Sequence, residues 1–460
     1  MVPAQRIALS TLLTVTLFAF GGIYPTATPW VLGGAILAWL AGGGPSARVT
    51  HGARDLQIAL AALVAALALQ LLPLPAPLRA VLSPAAGPLE AALRPDALFR
   101  QPGWAPLSVV PSATAHALAL VIATALTYRS ALTVFAQGGV RQVSRVLAAA
   151  GAVVAVVAMA QRAVAPGLIY GIWRPEDAGA QPFGPVVNRN HLAAWLIMAG
   201  SLALGYMVAR LRTRMDGPVL GAPWRLVIRR VFDSGVMTLA GAWAVMATAI
   251  SVSRSRSGLI ALAVSLLVLW RGGERRRWHP RETAIIGLLL ACGLALALAL
   301  GDAAALAGRF LSSFDGSDTG RPVIWRETLP LAGDFWLTGT GAGTFSTAMV
   351  AYQQSHPVAA HLEGRVVHFN HAHNHYLHVA AEGGLLLALP VLAVLWAFLR
   401  LARRRLREER GEMLWIRLGA FAGLVGVAVQ SLWEVPLTMP ANALLAATLA
   451  AIVTCKRNGR

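Results

Sequence analysis

Apolar residues recur in twelve runs along the chain, separated by short polar segments and by three longer ones. The runs lie near residues 7–23, 27–42, 55–73, 113–136, 143–164, 190–209, 234–252, 257–270, 283–300, 375–399, 413–432 and 438–454. A helix needs about 20 apolar residues to cross the hydrocarbon core of a bilayer. The pattern therefore predicts an all-α integral membrane protein of about twelve transmembrane helices, folded as a single polytopic domain over residues 1–460.

The composition agrees with this prediction. Of the residues, 57 % are hydrophobic and 13 % are charged, whereas an ordinary soluble domain has about 25 % charged residues. The 44 glycines suit membrane helices that approach one another closely. The first apolar run lacks a small-residue cleavage site, so we expect a retained helix rather than a cleaved signal peptide.

Basic residues are unevenly distributed between alternate connections. If the N-terminus is cytoplasmic, 27 of the 39 lysine and arginine residues fall in segments on the cytoplasmic side. This positive-inside asymmetry predicts that both termini are cytoplasmic. Topology also accounts for the formal net charge of +19, so nucleic acid is not expected as a partner.

Three outer connections are long, at about 74–112, 165–189 and 301–374. A structureless loop as long as the third would be unusual in a compact protein. We therefore expect residues 301–374 to form a large, partly helical loop outside the cytoplasm, with a short amphipathic helix over Arg321 to Ala332. A glycine-rich stretch, Gly339 to Gly343, has neither dinucleotide nor P-loop spacing and predicts a turn of close backbone approach.

Two arginines lie in a very short outer connection, within the sequence SVSRSRSG at residues 251–258. Arg254 and Arg256 run against the positive-inside bias and lie near membrane depth, where an unpaired charge is costly. One interpretation is a snorkelling side chain at a helix end. The other is an anion site, because the planar guanidinium fork suits phosphate oxygens.

Seven of the eleven histidines lie between His356 and His378. A metal site is one interpretation, since His371 and His375 are four residues apart and would share a face of a helix. No carboxylate or cysteine stands at a familiar metal spacing, so no metal site is predicted. The preferred interpretation is a general base, because imidazole accepts a proton near neutral pH and a helix N-terminus favours its neutral form.

A further polar cluster, Asn188 to His191, stands at the outer entry to the sixth run. Asparagine is a good helix cap, so Asn188 is open to a purely structural reading. Arg189 and His191 nevertheless add polar groups to the outer face. Three outer segments thus supply arginine and one supplies histidine, which suits a substrate with a diphosphate and a hydroxyl nucleophile. Arginine in place of a metal ion would balance the charge of the leaving group.

Four segments, in this order, resemble motifs of the O-antigen ligase/polymerase superfamily over roughly residues 170–390. They are Phe183-Gly184-Pro185 with Asn188-Arg189-Asn190-His191; Ser255-Arg256-Ser257-Gly258; Arg321 and Trp325 with Gly339, Gly343 and Phe345; and His373-Asn374 with Tyr376-Leu377 and Glu382-Gly383. The resemblance implies an inverting, metal-independent glycosyltransferase of the GT-C type that needs no cofactor. Such enzymes take a glycan from undecaprenyl diphosphate on the periplasmic face of the bacterial inner membrane.

By this resemblance, Arg256 and Arg321 hold the diphosphate, and His373 activates the acceptor hydroxyl. Arg254 is an alternative to Arg256 because the Ser-Arg pair is doubled, and His371 or His375 is an alternative to His373. Arg189 is a further phosphate contact. The supporting residues are Asn188, Asn190, His191, His371, Asn374, His375, Tyr376 and Glu382.

The predicted partners are membrane lipids, the lipid-linked donor and an acceptor. A ligase would pass the glycan to a sugar hydroxyl of the lipid A core, and this is the activity that we predict. A polymerase of the same superfamily, which would extend a growing glycan, is the alternative. From other classes, a lipid-linked sugar transporter would need ionisable residues deep within its helices, whereas the charges here gather at the ends of the runs. A non-enzymatic scaffold would leave the two arginines of the tight outer turn unexplained.

Overall fold

The computed structural model describes residues 2–46, 53–93, 103–176, 180–215, 223–231, 233–274, 279–300, 320–354 and 368–456. In chain order its α-helices are α1 (Val2–Phe18), α2 (Thr28–Ala41), α3 (Arg54–Leu71), α4 (Ala76–Leu82), α5 (Ala86–Leu93), α6 (Pro111–Ala136), α7 (Val140–Val164), α8 (Arg189–Met215), α9 (Trp224–Val231), α10 (Ser234–Val252), α11 (Arg256–Glu274), α12 (Pro280–Leu300), α13 (Gly320–Asp334), α14 (Phe345–Met349), α15 (His375–Glu408), α16 (Glu412–Gln430) and α17 (Pro440–Thr454).

Each of the twelve predicted runs forms a helix, and the predicted all-α membrane class is confirmed. Nine helices in the described ranges are long and apolar enough to cross a membrane. The other three helices that correspond to predicted runs, α1, α2 and α17, have 17, 14 and 15 residues. The number of twelve crossings therefore stays a prediction.

Helix α8 lies at the centre of the bundle and is buried along its whole apolar length. It packs against α7, α10, α11, α16 and α17. Its closest crossing is with α16, where Gly205 faces Gly419. A Cβ atom on Gly205 would lie 2.5 Å from the carbonyl oxygen of Trp415, and one on Gly419 would lie 2.5 Å from that of Ser201. Glycine is required at both positions because the two backbones touch, as membrane helices with small interface residues do.

The long connection at residues 301–374 is partly helical, as predicted. Helix α13 covers the expected amphipathic helix and packs against α15, and the short helix α14 follows it. Residues 301–319 and 355–367 of this loop, with His356 and His361, lie outside the described residues. The long connection between α3 and α6 holds α4 and α5 and is closed by two short antiparallel strands, β1 (Leu74–Pro75) and β2 (Trp104–Ala105).

Helix α15 is broken near its start, and this break holds the histidine-rich segment in place. Gly384 has a φ of 51°, which reverses the local backbone. The amide of Gly341 donates to the carbonyl oxygen of Glu382 over 3.0 Å. The Gln70 side chain donates to the carbonyl oxygens of Glu382 and Thr338 over 3.0 and 2.9 Å. Irregular backbone at membrane depth persists only where protein groups satisfy it in this way.

The glycine-rich stretch passes directly over this break. Gly339, Gly341 and Gly343 all have positive φ, and a Cβ atom on Gly339 would lie 2.1 Å from the carbonyl oxygen of Glu382. The predicted turn of close backbone approach is therefore confirmed.

Candidate active site

The segment before α15 ends in a tight turn that presents His373. The side chain of Asn374 caps the helix, because its Oδ1 accepts from the amides of Tyr376 and Leu377, both over 3.1 Å. His373 has a φ of 47°, a left-handed conformation that is uncommon for residues other than glycine. Strained backbone of this kind clusters at functional sites. Asn374 thus serves as a structural cap, and the residue it positions is His373.

The carboxylate of Glu434 is the centre of the site. Its side chain has no solvent exposure and lies in the connection between α16 and α17. Oε2 lies 3.3 Å from Nδ1 of His373. Oε1 forms an ion pair with the guanidinium of Arg321 and accepts a hydrogen bond from the Asn190 side chain over 2.7 Å. Four separate segments of the chain therefore meet at one buried carboxylate.

The electrostatics keep this carboxylate charged. Burial raises the pKa of Glu434, but the hydrogen bond to His373 and the charge of Arg321 outweigh burial and hold the pKa below its usual value. An ionised carboxylate can only accept, so Nδ1 of His373 carries the hydrogen of their contact. The other ring nitrogen, Nε2, is then left with a lone pair that can accept a proton.

Hydrogen bonds hold the connection between α16 and α17, which contains Glu434, against the first turn of α8. The Gln430 side chain donates to the carbonyl oxygen of Asn190 over 2.9 Å. The Asn442 side chain donates to the carbonyl oxygens of His191 and Pro436 over 3.0 and 2.9 Å. These contacts tie α16, α17 and α8 together at the site and fix the direction in which Glu434 points.

His373 lies at one side of a group of histidines. Their ring centroids lie 6.5 Å apart for His371 and His373, and 5.8 Å apart for His371 and His378. Burial, followed by repulsion from the neighbouring histidines, lowers the pKa of His371 well below its usual value. The ring is therefore neutral at physiological pH. His191, in the first turn of α8, is buried, and in the described part of the chain neither of its ring nitrogens has a hydrogen-bond partner.

His378, the member of the histidine group that lies within α15, contacts Glu382. Nε2 of His378 lies 3.4 Å from Oε1 of Glu382, and the same oxygen accepts from the amide of Phe345 over 2.9 Å. The His378 ring also packs on Phe345, with centroids 4.8 Å apart. Glu382, predicted as a supporting residue, thus holds the glycine-rich turn against α15. His378 helps Glu382 to hold this turn, and it was not among the predicted site residues.

The helix-face arrangement of His371 and His375 is not formed. His375 is the first residue of α15, and His371 lies in the non-helical segment before it, so the two do not share a helix face. Among the described residues, no group of three or more histidine, cysteine, aspartate or glutamate side chains is placed to hold a metal ion. Tyr376 is exposed and donates its hydroxyl to the carbonyl oxygen of Ala428 over 2.8 Å.

The serine–arginine turn lies at the same end of the bundle. Helix α10 ends at Val252 and α11 begins at Arg256, and Arg254 between them has a φ of 56°. Ser255 Oγ accepts from the amide of Gly258 over 3.1 Å, which caps α11. A Cβ atom on Gly258 would lie 3.0 Å from Cβ of Ala193, so the first turn of α11 packs on the first turn of α8. Both arginine side chains are half-buried.

Arg189 has a different position from the other predicted residues. It is the first residue of α8, after Asn188, whose Oδ1 accepts from the amide of Asn190 over 2.8 Å as a cap. Arg189 borders a cavity of about 290 Å³. The residues around this cavity are Arg162, Pro166, Gly167, Ala180, Gln181, Pro182 and Arg189. From the predicted set, the Glu434 network takes in Asn190, Arg321 and His373.

Glu434 was not among the predicted site residues either, although the sequence holds a signal for it. It is the only acidic residue after Glu412, and it stands between two apolar runs. An ionisable group at the edge of a membrane helix is costly unless it has a partner and a function.

Comparison with known proteins gives one family match. Residues 241–392 match the family model described as O-antigen ligase. The match contains the serine–arginine turn, Arg321 and His373, and it ends before Glu434. No curated protein matches the chain.

Proposed function

We propose that the chain is an O-antigen ligase of the O-antigen ligase superfamily and that it transfers a glycan from undecaprenyl diphosphate to a sugar hydroxyl of the lipid A core. The observation that carries this proposal is the shared carboxylate of Glu434. It joins His373, the proposed base, to Arg321, a proposed ligand of the leaving group. An activating group for the nucleophile and a cation for the leaving group are the two things that a metal-free glycosyl transfer requires.

Proton transfer begins the proposed reaction. Glu434 holds His373 with Nδ1 protonated, so Nε2 takes the proton of the acceptor hydroxyl. A buried carboxylate also stabilises the imidazolium that forms, in the manner of an acid that orients a catalytic histidine. The acceptor oxygen then attacks the anomeric carbon, and the bond between that carbon and the diphosphate oxygen breaks with inversion.

The arginines would stabilise the departing diphosphate. The Arg321 guanidinium has five N–H donors, and its contact with Glu434 engages one of its amino groups. The same carboxylate fixes the direction of the guanidinium before the donor arrives, which favours the transition state over the ground state. Arg256 at the start of α11 is the proposed second ligand, with Arg254 as its alternative, and Arg189 is a peripheral contact.

The direction of the helices supports a periplasmic site. Helices α8 and α15 both begin at the site and both end in arginine-rich turns. Arginine favours the cytoplasmic side of a membrane protein. The opposite end, which holds His373 and Glu434, is therefore proposed to face the periplasm, with both termini in the cytoplasm and the protein in the inner membrane.

A reconstituted transfer assay tests the proposal. The purified protein in nanodiscs would receive a lipid-diphosphate-linked glycan and lipid A core in the presence of EDTA. We expect transfer by the wild type, loss of transfer in His373→Ala and Arg256→Ala, and near-normal transfer in Arg326→Gln, which removes an exposed arginine of α13. Longer lipid-linked chains without transfer to the core would favour a polymerase. No consumption of the donor with any acceptor would overturn the enzymatic proposal in favour of a transporter.

A further inference from the structure

A basic groove lies at the end of α15 that is farthest from His373. The groove runs between α11, α15 and α16 and has a volume of about 680 Å³. Its walls are mainly apolar and include Leu267, Leu418 and Phe421, and its rim carries Arg271, Arg403 and Arg407. Roughly 45 Å of helix separates Arg407 from the start of α15, so the groove is not part of the candidate active site.

The two α15 arginines of this rim differ from the other arginines of the same helix end. Arg400 pairs with Asp55, and Arg404 and Arg405 both pair with Glu408, over 2.8 and 3.7 Å. Among the described residues, no carboxylate pairs with Arg403 or Arg407. Both are exposed, and they are one helical turn apart on the same face. Two like charges at this spacing repel each other unless an anion lies between them.

The apolar wall below this rim completes a site for an amphipathic anion. Leu267 is 52 % exposed on α11, and Leu418 of α16 lies beside Gly272, where a Cβ atom would come within 2.9 Å of it. Glycine at this position therefore lets α11 and α16 approach closely along the wall of the groove. A concave apolar channel that ends in a pair of guanidinium groups matches an acyl chain joined to a phosphate.

A second apolar groove in the bundle shows why the basic rim matters. It lies between α7, α8 and α10 and has a volume of about 850 Å³. Two arginines, Arg145 and Arg210, line it. Arg210 donates to Asp233 over 2.8 Å, and Asp233 also pairs with Arg214. A protein carboxylate thus already pairs with Arg210 in that groove. The groove beside Arg403 and Arg407 has the excess positive charge that an anionic ligand would neutralise.

We propose that the groove between α11, α15 and α16 binds an anionic phospholipid of the adjacent leaflet, with its phosphate between Arg403 and Arg407 and an acyl chain along Leu267, Leu418 and Phe421. The site is separate from the proposed transferase site and does not depend on it. Zwitterionic lipids carry a compensating cation in the head group, so they are expected to bind more weakly.

Lipid retention tests the proposal. The protein would be reconstituted in vesicles of phosphatidylcholine that contain phosphatidylglycerol as the only anionic lipid, then extracted, and its bound lipids counted by native mass spectrometry. We expect selective retention of phosphatidylglycerol by the wild type and about a tenfold loss in Arg403→Gln/Arg407→Gln. Arg403→Lys/Arg407→Lys keeps the charge and should retain part of the binding.

The matched control is Arg400→Gln/Arg404→Gln, which removes the same number of charges from the same helix end but leaves the groove rim intact. Retention in this control supports the proposal. Equal loss in both double variants would mean general surface attraction and would overturn it. A lipid-free dimer in the wild type that Leu267→Trp dissociates would also overturn it, because the groove would then hold a second copy of the chain. Size-exclusion profiles of all variants check that they fold.

Discussion

Nδ1 of His373 lies 3.3 Å from Oε2 of Glu434, a carboxylate with no solvent exposure. The two residues are 61 positions apart, and the contact joins the turn before α15 to the connection between α16 and α17. Because Glu434 also pairs with Arg321, a change at this one carboxylate affects the proposed base and the proposed phosphate ligand together. That coupling makes Glu434 the most informative position in the site.

Glu434→Gln is expected to abolish most of the transfer. The amide cannot hold Nδ1 of His373 as a charged acceptor, and it leaves Arg321 without its anion. We expect kcat to fall by about 100-fold or more, because a positioned base contributes at least that much. The measurement is initial transfer rate against donor concentration, together with the pH–rate profile.

The control for this prediction is Glu408→Gln, which breaks an exposed ion pair with Arg404 at the far end of α15. It should leave the transfer rate within about threefold of the wild type, since surface pairs contribute little. A Glu434→Gln protein that folds normally and keeps wild-type kcat would show that the carboxylate is only structural.

The Arg321 guanidinium is expected to act through its shape as well as its charge. Arg321→Lys keeps the charge but loses the planar fork, so it should weaken both the pair with Glu434 and the contact with the donor. We expect kcat/KM for the donor to fall by about 10-fold in Arg321→Lys and about 100-fold in Arg321→Gln. Arg326→Gln, one turn further along α13, is the matched control. Equal rates for Arg321→Gln and Arg326→Gln would exclude a role for Arg321 in catalysis.

The fold was largely predictable because its signals are local. Each apolar run is enough on its own to predict a helix. The glycines at 339, 341 and 343 are enough to predict a turn of close backbone approach. The break at Gly384 was not predicted, since an apolar run records length and hydrophobicity but not a reversal of φ. The Gly383–Gly384 pair within the run at 375–399 was the available signal.

The candidate site was predictable only in part, for the same physical reason. The motif positions of Arg321 and His373 identified two of the residues that meet. The carboxylate that joins them lies 113 residues from Arg321 and in a different helix connection. Spacing along the chain carries no information about such a contact. It arises from the packing of α8 against α16 and α17, which no local pattern specifies.

The neutral state of His371 is expected to make stability fall in acid. Burial lowers the pKa of His371 in the folded protein, whereas an unfolded histidine titrates near 6.5. Below about pH 6.5 the unfolded state therefore binds a proton that the folded state does not, and the free energy of unfolding decreases as the pH falls. Above about pH 6.5, His371 is neutral in both states, so the free energy of unfolding loses nothing through this residue. Melting temperature measured from pH 7.5 downwards should show this loss.

His371→Gln removes the titrating group, so the acid-side slope of its melting temperature should be shallower than that of the wild type. His116→Gln removes an exposed histidine of α6 and is the matched control, with a slope like that of the wild type. Identical slopes for the wild type and His371→Gln would mean that His371 is not held neutral by the fold.

Gln70→Leu tests whether α3 holds the break in α15 and, through it, the site. The Gln70 side chain donates to the carbonyl oxygens of Thr338 and Glu382, and its Oε1 accepts from the amide of Ala342 over 3.0 Å. Leucine fills the space but leaves the carbonyl of Thr338 and the amide of Ala342 buried without partners, at a cost of about 1–3 kcal/mol each. We expect the free energy of unfolding to fall by about 3 kcal/mol and transfer to weaken, because the turn over residues 339–343 supports the start of α15.

Gln57→Leu, on the same helix, removes one half-buried contact with Arg129 and should cost less than about 1 kcal/mol. If both variants melt at the same temperature, the hydrogen bonds of Gln70 do not maintain the break.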